Sequence, residues 1–143
     1  MVTLSQIILR LVLSMLLSAA IGFEREARHR PAGLRTMTLI GTASTLIMLV
    51  SLSFISDSNI DPTRLVAGFL TPIGLLGAGV IIHGRDKNET QGITTAATIL
   101  MVAGIGLALG LGLYLAAIFA TMLTLIVLYV FDYNTIQGFF KKK

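Results

Sequence analysis

The sequence has 143 residues, of which 55% are hydrophobic and only 13% are charged. Apolar runs long enough to cross a bilayer exclude a soluble globular protein and predict an integral membrane protein. The formal net charge of +4 is explained by basic residues in predicted loops, so we expect no nucleic-acid partner. The sequence contains no cysteine, which excludes disulfides, thiolate metal sites and cysteine nucleophiles.

Five apolar segments follow one another along the chain, and each is predicted to cross the membrane as an α-helix. A hydrocarbon core about 30 Å thick needs about 20 apolar residues in helical conformation. The stretch from Gly92 to Phe131 has no charged residue and suits two helices joined by a turn near Gly110–Gly112. We therefore predict an all-α polytopic bundle, as a single transmembrane domain of residues 1–143 without a soluble C-terminal domain. The predicted spans are residues 4–23, 36–55, 65–83, 93–109 and 113–131.

Basic residues mark alternate loops of this predicted bundle. They follow the first span (Arg25, Arg28, Arg30, Arg35), the third (Arg85, Lys87) and the fifth (Lys141–Lys143). Short cytoplasmic loops carry an excess of Lys and Arg, so we expect the N-terminus outside and the C-terminus in the cytoplasm. A cleaved signal peptide is the alternative for the first segment, but that segment begins without a basic residue.

Small and polar residues recur at helical spacing and predict which helix faces meet. In lipid, helices gain from close backbone approach and from hydrogen bonds between helices. We expect these residues to face the bundle interior, for packing or along a solute path. They are Ser14, Ser18 and Gly22 in the first span, Thr38, Gly41, Thr42 and Thr45 in the second, Ala67, Gly68, Thr71, Gly74 and Ala78 in the third, and Gly106 and Gly110 in the fourth.

Arg10 lies inside the first span, where a charge is costly unless it reaches water or a partner. Asp57 and Asp61 lie on the same predicted outer side, so we predict an ion pair between Arg10 and one of them. A role for Arg10 in holding an anion is the alternative. Asp61 also stands directly before Pro62, an order typical of a helix start, and Arg64 follows as a further candidate residue of the outer side.

Carboxylates at both ends of the spans allow a metal-ion hypothesis. Magnesium prefers hard oxygen ligands and often needs only one or two carboxylates. Glu24 and Glu26 lie at the inner end of the first span, close to the predicted position of the Thr94 and Thr95 hydroxyls, and Asp61 lies at the outer side. A cation path would therefore have an inner and an outer carboxylate.

Arginines in the same inner loop allow a different ligand. Arg25, Arg30 and Arg35 outnumber the two glutamates and leave the loop net positive, which fits a phosphate or an anionic lipid head group. No nucleophile is paired with a base and no nucleotide loop is recognisable, so we expect no enzyme. The only cofactor we expect is Mg²⁺, as a substrate or ligand.

Five motifs occur in order across nearly the whole chain, and together they resemble the MgtC/SapB family. The motifs are Gly22-Phe23-Glu24-Arg25-Glu26, then Arg30-Pro31-Ala32-Gly33-Leu34-Arg35-Thr36, then Asp61-Pro62-Thr63-Arg64, then Gly77-Ala78-Gly79-Val80-Ile81, and finally Gly92-Ile93-Thr94-Thr95-Ala96-Ala97-Thr98. This resemblance marks as family residues Glu24, Arg25, Glu26, Arg30, Gly33, Arg35, Asp61, Arg64, Gly77, Gly79, Thr94 and Thr95. It implies the transmembrane domain of a multi-pass protein of the bacterial inner membrane that is linked to growth at low magnesium.

Three hypotheses from different classes stay open at this stage. The first is transport of, or response to, a divalent cation such as magnesium. The second, which the resemblance implies for some family members, is a regulatory membrane subunit that binds another membrane protein such as the ATP synthase. The third is recognition of an anionic lipid or phosphate by the inner arginines. Because five short helices barely surround a hydrated ion, a transporter is expected to be a homo-oligomer.

Overall fold

The computed structural model describes residues 2–54, 61–83 and 89–130. This part of the chain forms five α-helices: α1 (Leu4–Ala27), α2 (Leu34–Ser53), α3 (Pro62–His83), α4 (Glu89–Leu111) and α5 (Tyr114–Val130). Helices α1 to α4 are long and apolar enough to cross a membrane, and α5 is a shorter apolar helix of 17 residues. The all-α prediction is confirmed for the described residues, and the chain is a multi-pass membrane protein.

The helix ends differ from the predicted spans mainly at the charged segment. Helix α1 continues past Phe23 to Ala27, so Glu24 and Glu26 lie on its last turn rather than in a loop. The turn between α4 and α5 was predicted correctly. It centres on Gly112, which has a φ of +85°, and the amide of Leu113 donates to the carbonyl of Ala108 at 2.9 Å. The predictions for Asp57, Arg85, Lys87 and Lys141–Lys143 lie outside the described residues.

Helix α4 occupies the centre of the bundle, since each of the other four helices contacts it. Helices α1 and α2 approach α4 and each other through small residues. A methyl group added at Gly41 would overlap Ser18 Oγ, and one added at Gly106 would overlap the carbonyl oxygen of Gly41. Thr45 Oγ1 donates to the carbonyl of Gly106 at 2.8 Å and joins α2 to α4 directly.

The predicted inward stripes of α1 and α4 are confirmed, whereas α2 places only part of its stripe in the core. Ser14, Ser18, Gly22, Gly41, Thr45, Gly106 and Gly110 are buried, and Thr38 and Thr42 are half-buried. The apolar part of this core is formed by Ile21, Met37, Ile40, Ile73, Ile99, Val102, Ala103, Ile105, Leu109, Ala117 and Leu128.

The predicted inward stripe of α3 is wrong. Ala67, Gly68, Thr71, Gly74 and Ala78 are all exposed, and α3 instead turns Ile73 and Gly77 towards the bundle. Gly77 lies against Ala96 of α4, and this contact sets the rotation of α3 about its axis. The side that carries the predicted stripe therefore faces away from the bundle. Helix α3 therefore lies at the periphery, and the five residues of the predicted stripe face away from the other described helices.

Candidate functional site at the basic end

We call the basic end that end of the bundle at which α1 ends, α2 and α4 begin and α5 ends. The connection between α1 and α2 starts with a tight helix C-terminus: the amide of Arg30 donates to the carbonyl of Arg25 at 2.9 Å, and that of His29 to Glu26 at 3.0 Å. His29 takes the left-handed position that glycine usually fills, with a φ of 52°. Ala32 is a second left-handed residue, with a φ of 58°.

Arg25 is buried between α1 and α4, with only 4% of its surface exposed. Its Nη2 donates to Thr95 Oγ1 at 2.8 Å, so the two helices are joined by a hydrogen bond from a charged group. The guanidinium also lies in the last turn of α1, where the helix dipole favours a positive charge. The sequence had suggested that Arg25 contacts a lipid head group. In the structure Arg25 is enclosed by protein and does not lie at the surface of the bundle.

Glu26 closes the start of α2. Its Oε2 accepts the amide of Leu34 at 2.8 Å, which satisfies one of the unpaired amides of the first turn. Gly33 makes this approach possible, since a Cβ there would lie 2.8 Å from the same oxygen. The carboxylate therefore serves as the anion that the positive N-terminus of α2 attracts.

Glu24 is engaged on a third side of α1. Arg28 Nε lies 2.6 Å from Glu24 Oε1 in a close ion pair, and both carboxylate oxygens are buried. The guanidinium carbon of Arg28 lies 5.3 Å from the centre of the Tyr129 ring in the last turn of α5. This is a cation–π contact, so Glu24 reaches α5 through Arg28.

Three consecutive charged side chains thus tie α1 to three different helices. Successive residues of an α-helix point about 100° apart, which sends Glu24 towards α5, Arg25 to α4 and Glu26 to α2. Within the described residues no group of three or more His, Asp or Glu side chains could hold a metal ion. The two glutamates have separate partners, Thr95 meets the charged cluster through Arg25, and Thr94 is exposed.

The other two arginines of the predicted anion site are less buried than Arg25. Arg35, in the first turn of α2, is exposed, and Arg30 is half-buried.

At the opposite end Arg10 does not form the predicted pair with Asp61. Its Nη1 donates to the carbonyl of Gly110 at 2.5 Å and its Nε to the hydroxyl of Tyr114 at 3.3 Å. The charge lies at the C-terminus of α4, where free carbonyls and the helix dipole stabilise a cation, so an acidic partner is not needed.

Asp61 instead caps α3, as its position before Pro62 had also predicted. Its Oδ1 accepts the hydroxyl of Thr63 at 2.7 Å and the amide of Thr63 at 2.9 Å. These two bonds, with a smaller contribution from the charge of Arg64, hold the pKa of Asp61 below its ordinary value. Asp61 and Arg64 are both exposed and stand apart from the basic end.

A family model described as the MgtC family matches residues 11–135 of the chain, which is most of its length. The chain belongs to the MgtC family. The basic end and the Arg10 contacts therefore describe how a member of this family packs its transmembrane helices.

Individual relatives extend the match. YhiD of Escherichia coli strain K12 is 40% identical over 139 residues, covering 93% of this chain and 64% of YhiD. MgtC of Salmonella typhimurium strain LT2 is 44% identical over 118 residues, covering 82% of this chain and 49% of MgtC. A Haemophilus influenzae protein is 38% identical, and the match spans 52% of its length. The chain thus spans between about half and two thirds of these relatives. No solved structure matches the chain.

Sequence reasoning did not single out the aromatic partners of Arg10 and Arg28. Tyr114 and Tyr129 begin and end the fifth apolar run, which is also where membrane helices commonly carry aromatic residues. Their pairing with Arg10 and Arg28 could have been suspected only from knowing that α1 and α5 are neighbours. That is a tertiary fact that no local pattern contains.

Proposed function

We propose that the chain is a regulatory membrane protein of magnesium homeostasis, which acts on another membrane protein and does not carry the ion through its own bundle. Magnesium enters the proposal from a relative, since the Escherichia coli K12 protein bears the name "Putative magnesium transporter YhiD". The location proposed is the bacterial inner membrane. Its proposed role is to bind that other membrane protein and regulate it.

The observation that carries the proposal is the close packing of α1, α2 and α4. At Gly41 and Gly106 these helices are too close to admit even a methyl group. A hydrated magnesium ion is far larger, and it gives up its water reluctantly. The buried polar groups at this level are hydroxyls of Ser14, Ser18 and Thr45 and not carboxylates.

The basic end supports the same conclusion. Arg25 and Glu26 each hold a neighbouring helix, and Glu24 is paired with Arg28. Charged groups committed in this way stabilise one arrangement of helices. A transport gate would instead present free carboxylates to a water-filled path.

Transport between copies of the chain is a second candidate, favoured by the outward face of α3. Gly68, Gly74 and Gly79 have no atom within 4 Å of the position that a Cβ would occupy. Small residues of this kind are typical of contacts between membrane helices, so a homo-oligomer could line a path that one chain does not contain.

Magnesium flux in proteoliposomes tests the proposal directly. The parent chain and the Glu24→Gln, Glu26→Gln double variant are reconstituted side by side, with matched helix content by circular dichroism because Glu26 also caps α2. The expected result is no flux above empty liposomes for either protein, while a divalent-cation ionophore added at the end releases the full signal. Saturable flux by the parent that is lost in the variant would overturn the proposal and establish transport.

A further inference from the structure

Pro72 interrupts the backbone hydrogen bonds of α3 in the middle of its apolar span, Thr63–Ile82. Proline has no amide hydrogen, so the carbonyl of Gly68, four residues earlier, loses the donor that an uninterrupted helix would supply. The hydroxyl of Thr71 does not replace that donor, since it donates to the carbonyl of Ala67, at 3.4 Å. Helix α3 therefore carries, at membrane depth, a carbonyl that lacks its helical donor.

The side of α3 that carries this carbonyl is not covered by another described helix. Within the described residues α3 contacts α2 and α4 alone, and it turns Ile73 and Gly77 towards them. Gly68 lies on the opposite side, where an added Cβ would have no atom within 4 Å. Hydrocarbon offers no hydrogen-bond donor, and a backbone group freed by proline is satisfied in membranes by a side chain, a water or a neighbouring helix. This side of α3 therefore favours a helix that brings a donor.

The same side of α3 also carries the donor that the carbonyl lacks. Successive residues of a helix point about 100° apart, so Thr71 lies only about 60° around the helix from Gly68, and both are exposed. A helix carbonyl points towards the C-terminus, whereas a side chain leans back towards the N-terminus. The Gly68 oxygen and the Thr71 hydroxyl therefore lie at nearly the same depth in the membrane.

We infer that a second copy of this chain covers this side of α3, in a parallel two-fold pair of α3 helices. Two hydrogen bonds close the pair, each from the Thr71 hydroxyl of one copy to the Gly68 carbonyl of the other. A two-fold contact requires that one surface contain both members of each bond, and α3 meets that requirement. The pairing goes beyond the proposed function and is compatible with a regulator and with a transporter.

The shape of α3 supports a close approach of the two copies. Gly68, Leu75 and Gly79 lie along one line of the helix, seven and four residues apart. The two glycines have no atom within 4 Å of an added Cβ, and Leu75 between them is 73% exposed. Glycine allows helix backbones to come close in lipid, and a leucine between two glycines fills the space beside them.

The hydrogen bond that Thr71 gives up on pairing is a weak one. Its distance of 3.4 Å to the carbonyl of Ala67 is beyond the usual range for an O–H donor, so little is lost when the hydroxyl turns to the second copy. Lipid chains have no donor to offer instead. A helix of unrelated sequence would need a donor at this same depth, whereas a second copy has one there by symmetry.

Disulfide cross-linking of the full chain in lipid vesicles tests where two copies meet, because the sequence contains no cysteine of its own. The reporter is Leu75→Cys on α3. The control is Leu39→Cys on α2, which is exposed to a similar degree, at 68% against 73%. With copper phenanthroline, Leu75→Cys should give a covalent dimer whose yield is unchanged by moderate dilution with lipid. Leu39→Cys should give only the dilution-dependent product of random collisions.

Energy transfer between chains labelled at Leu39→Cys measures the strength of the pair as lipid is added. Thr71→Val keeps the shape of the side chain and should weaken dimerisation by about tenfold, because two bonds are lost at once. Thr71→Ser keeps the donor and should stay close to the parent. Gly68→Leu should abolish the pair, whereas Gly104→Leu, at another glycine with no atom within 4 Å of an added Cβ, should not. Equal helix content by circular dichroism shows that each variant is folded.

Three results would overturn the inference. A chain that stays monomeric at every lipid ratio leaves α3 to lipid or to a different protein. Cross-linking through Leu39→Cys and not through Leu75→Cys places the contact on another helix. A Thr71→Val chain that pairs as tightly as the parent shows that these hydrogen bonds do not hold the copies together. None of these measurements uses flux, so a stable pair that transports magnesium refutes the proposed function and leaves the pairing intact.

Discussion

Helices α2 and α3 carry similar rows of glycine and threonine and use them in opposite ways. In α2, Gly41 lies against Ser18 and the backbone of α4, and 39% of the most apolar 18-residue stretch of the helix is buried. In α3, no atom lies within 4 Å of a Cβ added at Gly68 or Gly74, and only 11% of the corresponding 18-residue stretch is buried. The same residue types therefore mark the tightest and the most open surfaces of the bundle.

The difference teaches that a small-residue row identifies a helix face but not its neighbour. Such a row permits close backbone approach, and the gain is realised only where a second helix with a matching surface is present. For α2 that helix belongs to the same chain. For α3 no described helix of the chain covers the row.

The largest effect is expected from Gly106→Ala in the α2–α4 contact. The added methyl group would overlap the carbonyl of Gly41 and the Cβ of Ser44, and backbone atoms cannot turn aside. Overpacking of this kind lowers the free energy of unfolding by about 3 kcal/mol. The measurement is unfolding in mixed micelles, followed by circular dichroism.

Gly104→Ala is the matched control, two residues away on the same helix. No atom lies within 4 Å of its added Cβ, so stability should stay unchanged or rise by up to about 1 kcal/mol through helix propensity. Equal losses in the two variants would contradict the close contact of α2 with α4.

The next effect concerns the contact of α1 with α4 at the basic end. Thr95→Val keeps the size of the side chain but removes the acceptor of the Arg25 hydrogen bond. Loss of a buried hydrogen bond to a charged group should lower the free energy of unfolding by about 2 kcal/mol. Thr98→Val is the control, because Thr98 Oγ1 bonds only within α4, to the carbonyl of Thr94. A loss no larger than that of the control would mean that Arg25 does not join the helices through Thr95.

Much of the fold follows from local patterns in the sequence. The run without charge from Gly92 to Phe131 and the pair Gly110 and Gly112 predicted two helices and their turn, because only glycine adopts a φ of +85° without strain. The start of α3 followed from Asp61 and Pro62. These features depend on a few adjacent residues, so no knowledge of neighbouring helices is needed.

The errors arise where a neighbouring helix or an unusual residue decides the outcome. The end of α1 was placed too early because the apolar run stops at Phe23, whereas the helix continues through charged residues to Ala27. Arg10 was expected to pair with Asp57 or Asp61, because a buried charge suggests an opposite charge nearby. Among the described residues it donates instead to the carbonyl of Gly110, a partner that leaves no trace in side-chain chemistry, and Asp57 lies outside the described residues.

A smaller effect is expected where Glu26 caps α2. Gly33→Ala places a methyl group 2.8 Å from Glu26 Oε2 and pushes the carboxylate away from the Leu34 amide, which should cost about 1 kcal/mol. Glu26→Gln keeps an acceptor oxygen and should cost about half as much. Hydrogen exchange at the Leu34 amide reports the cap directly. Unchanged exchange in both variants would show that the start of α2 does not depend on Glu26.

The smallest effect is expected at the start of the peripheral helix α3, which Asp61 caps. Because hydrogen bonds from Thr63 lower the pKa of Asp61, the folded state gains stability from this carboxylate above the ordinary aspartate pKa of about 3.9. That gain is lost as the pH falls through the lowered value of the folded protein. The expected observation is faster hydrogen exchange at the Thr63 amide in acid, with an Asp61 carboxyl that titrates below its ordinary range.

Two variants sharpen this test. Thr63→Val removes the hydroxyl that contributes most to the shift, so the pKa of Asp61 should rise towards its ordinary value. Asp61→Asn keeps a capping oxygen but does not titrate, so exchange at Thr63 should lose its acid dependence. An Asp61 that titrates normally in the parent would mean that α3 begins without this cap. The periphery would then differ from the α1–α2–α4 core in its helix ends as well as in its packing.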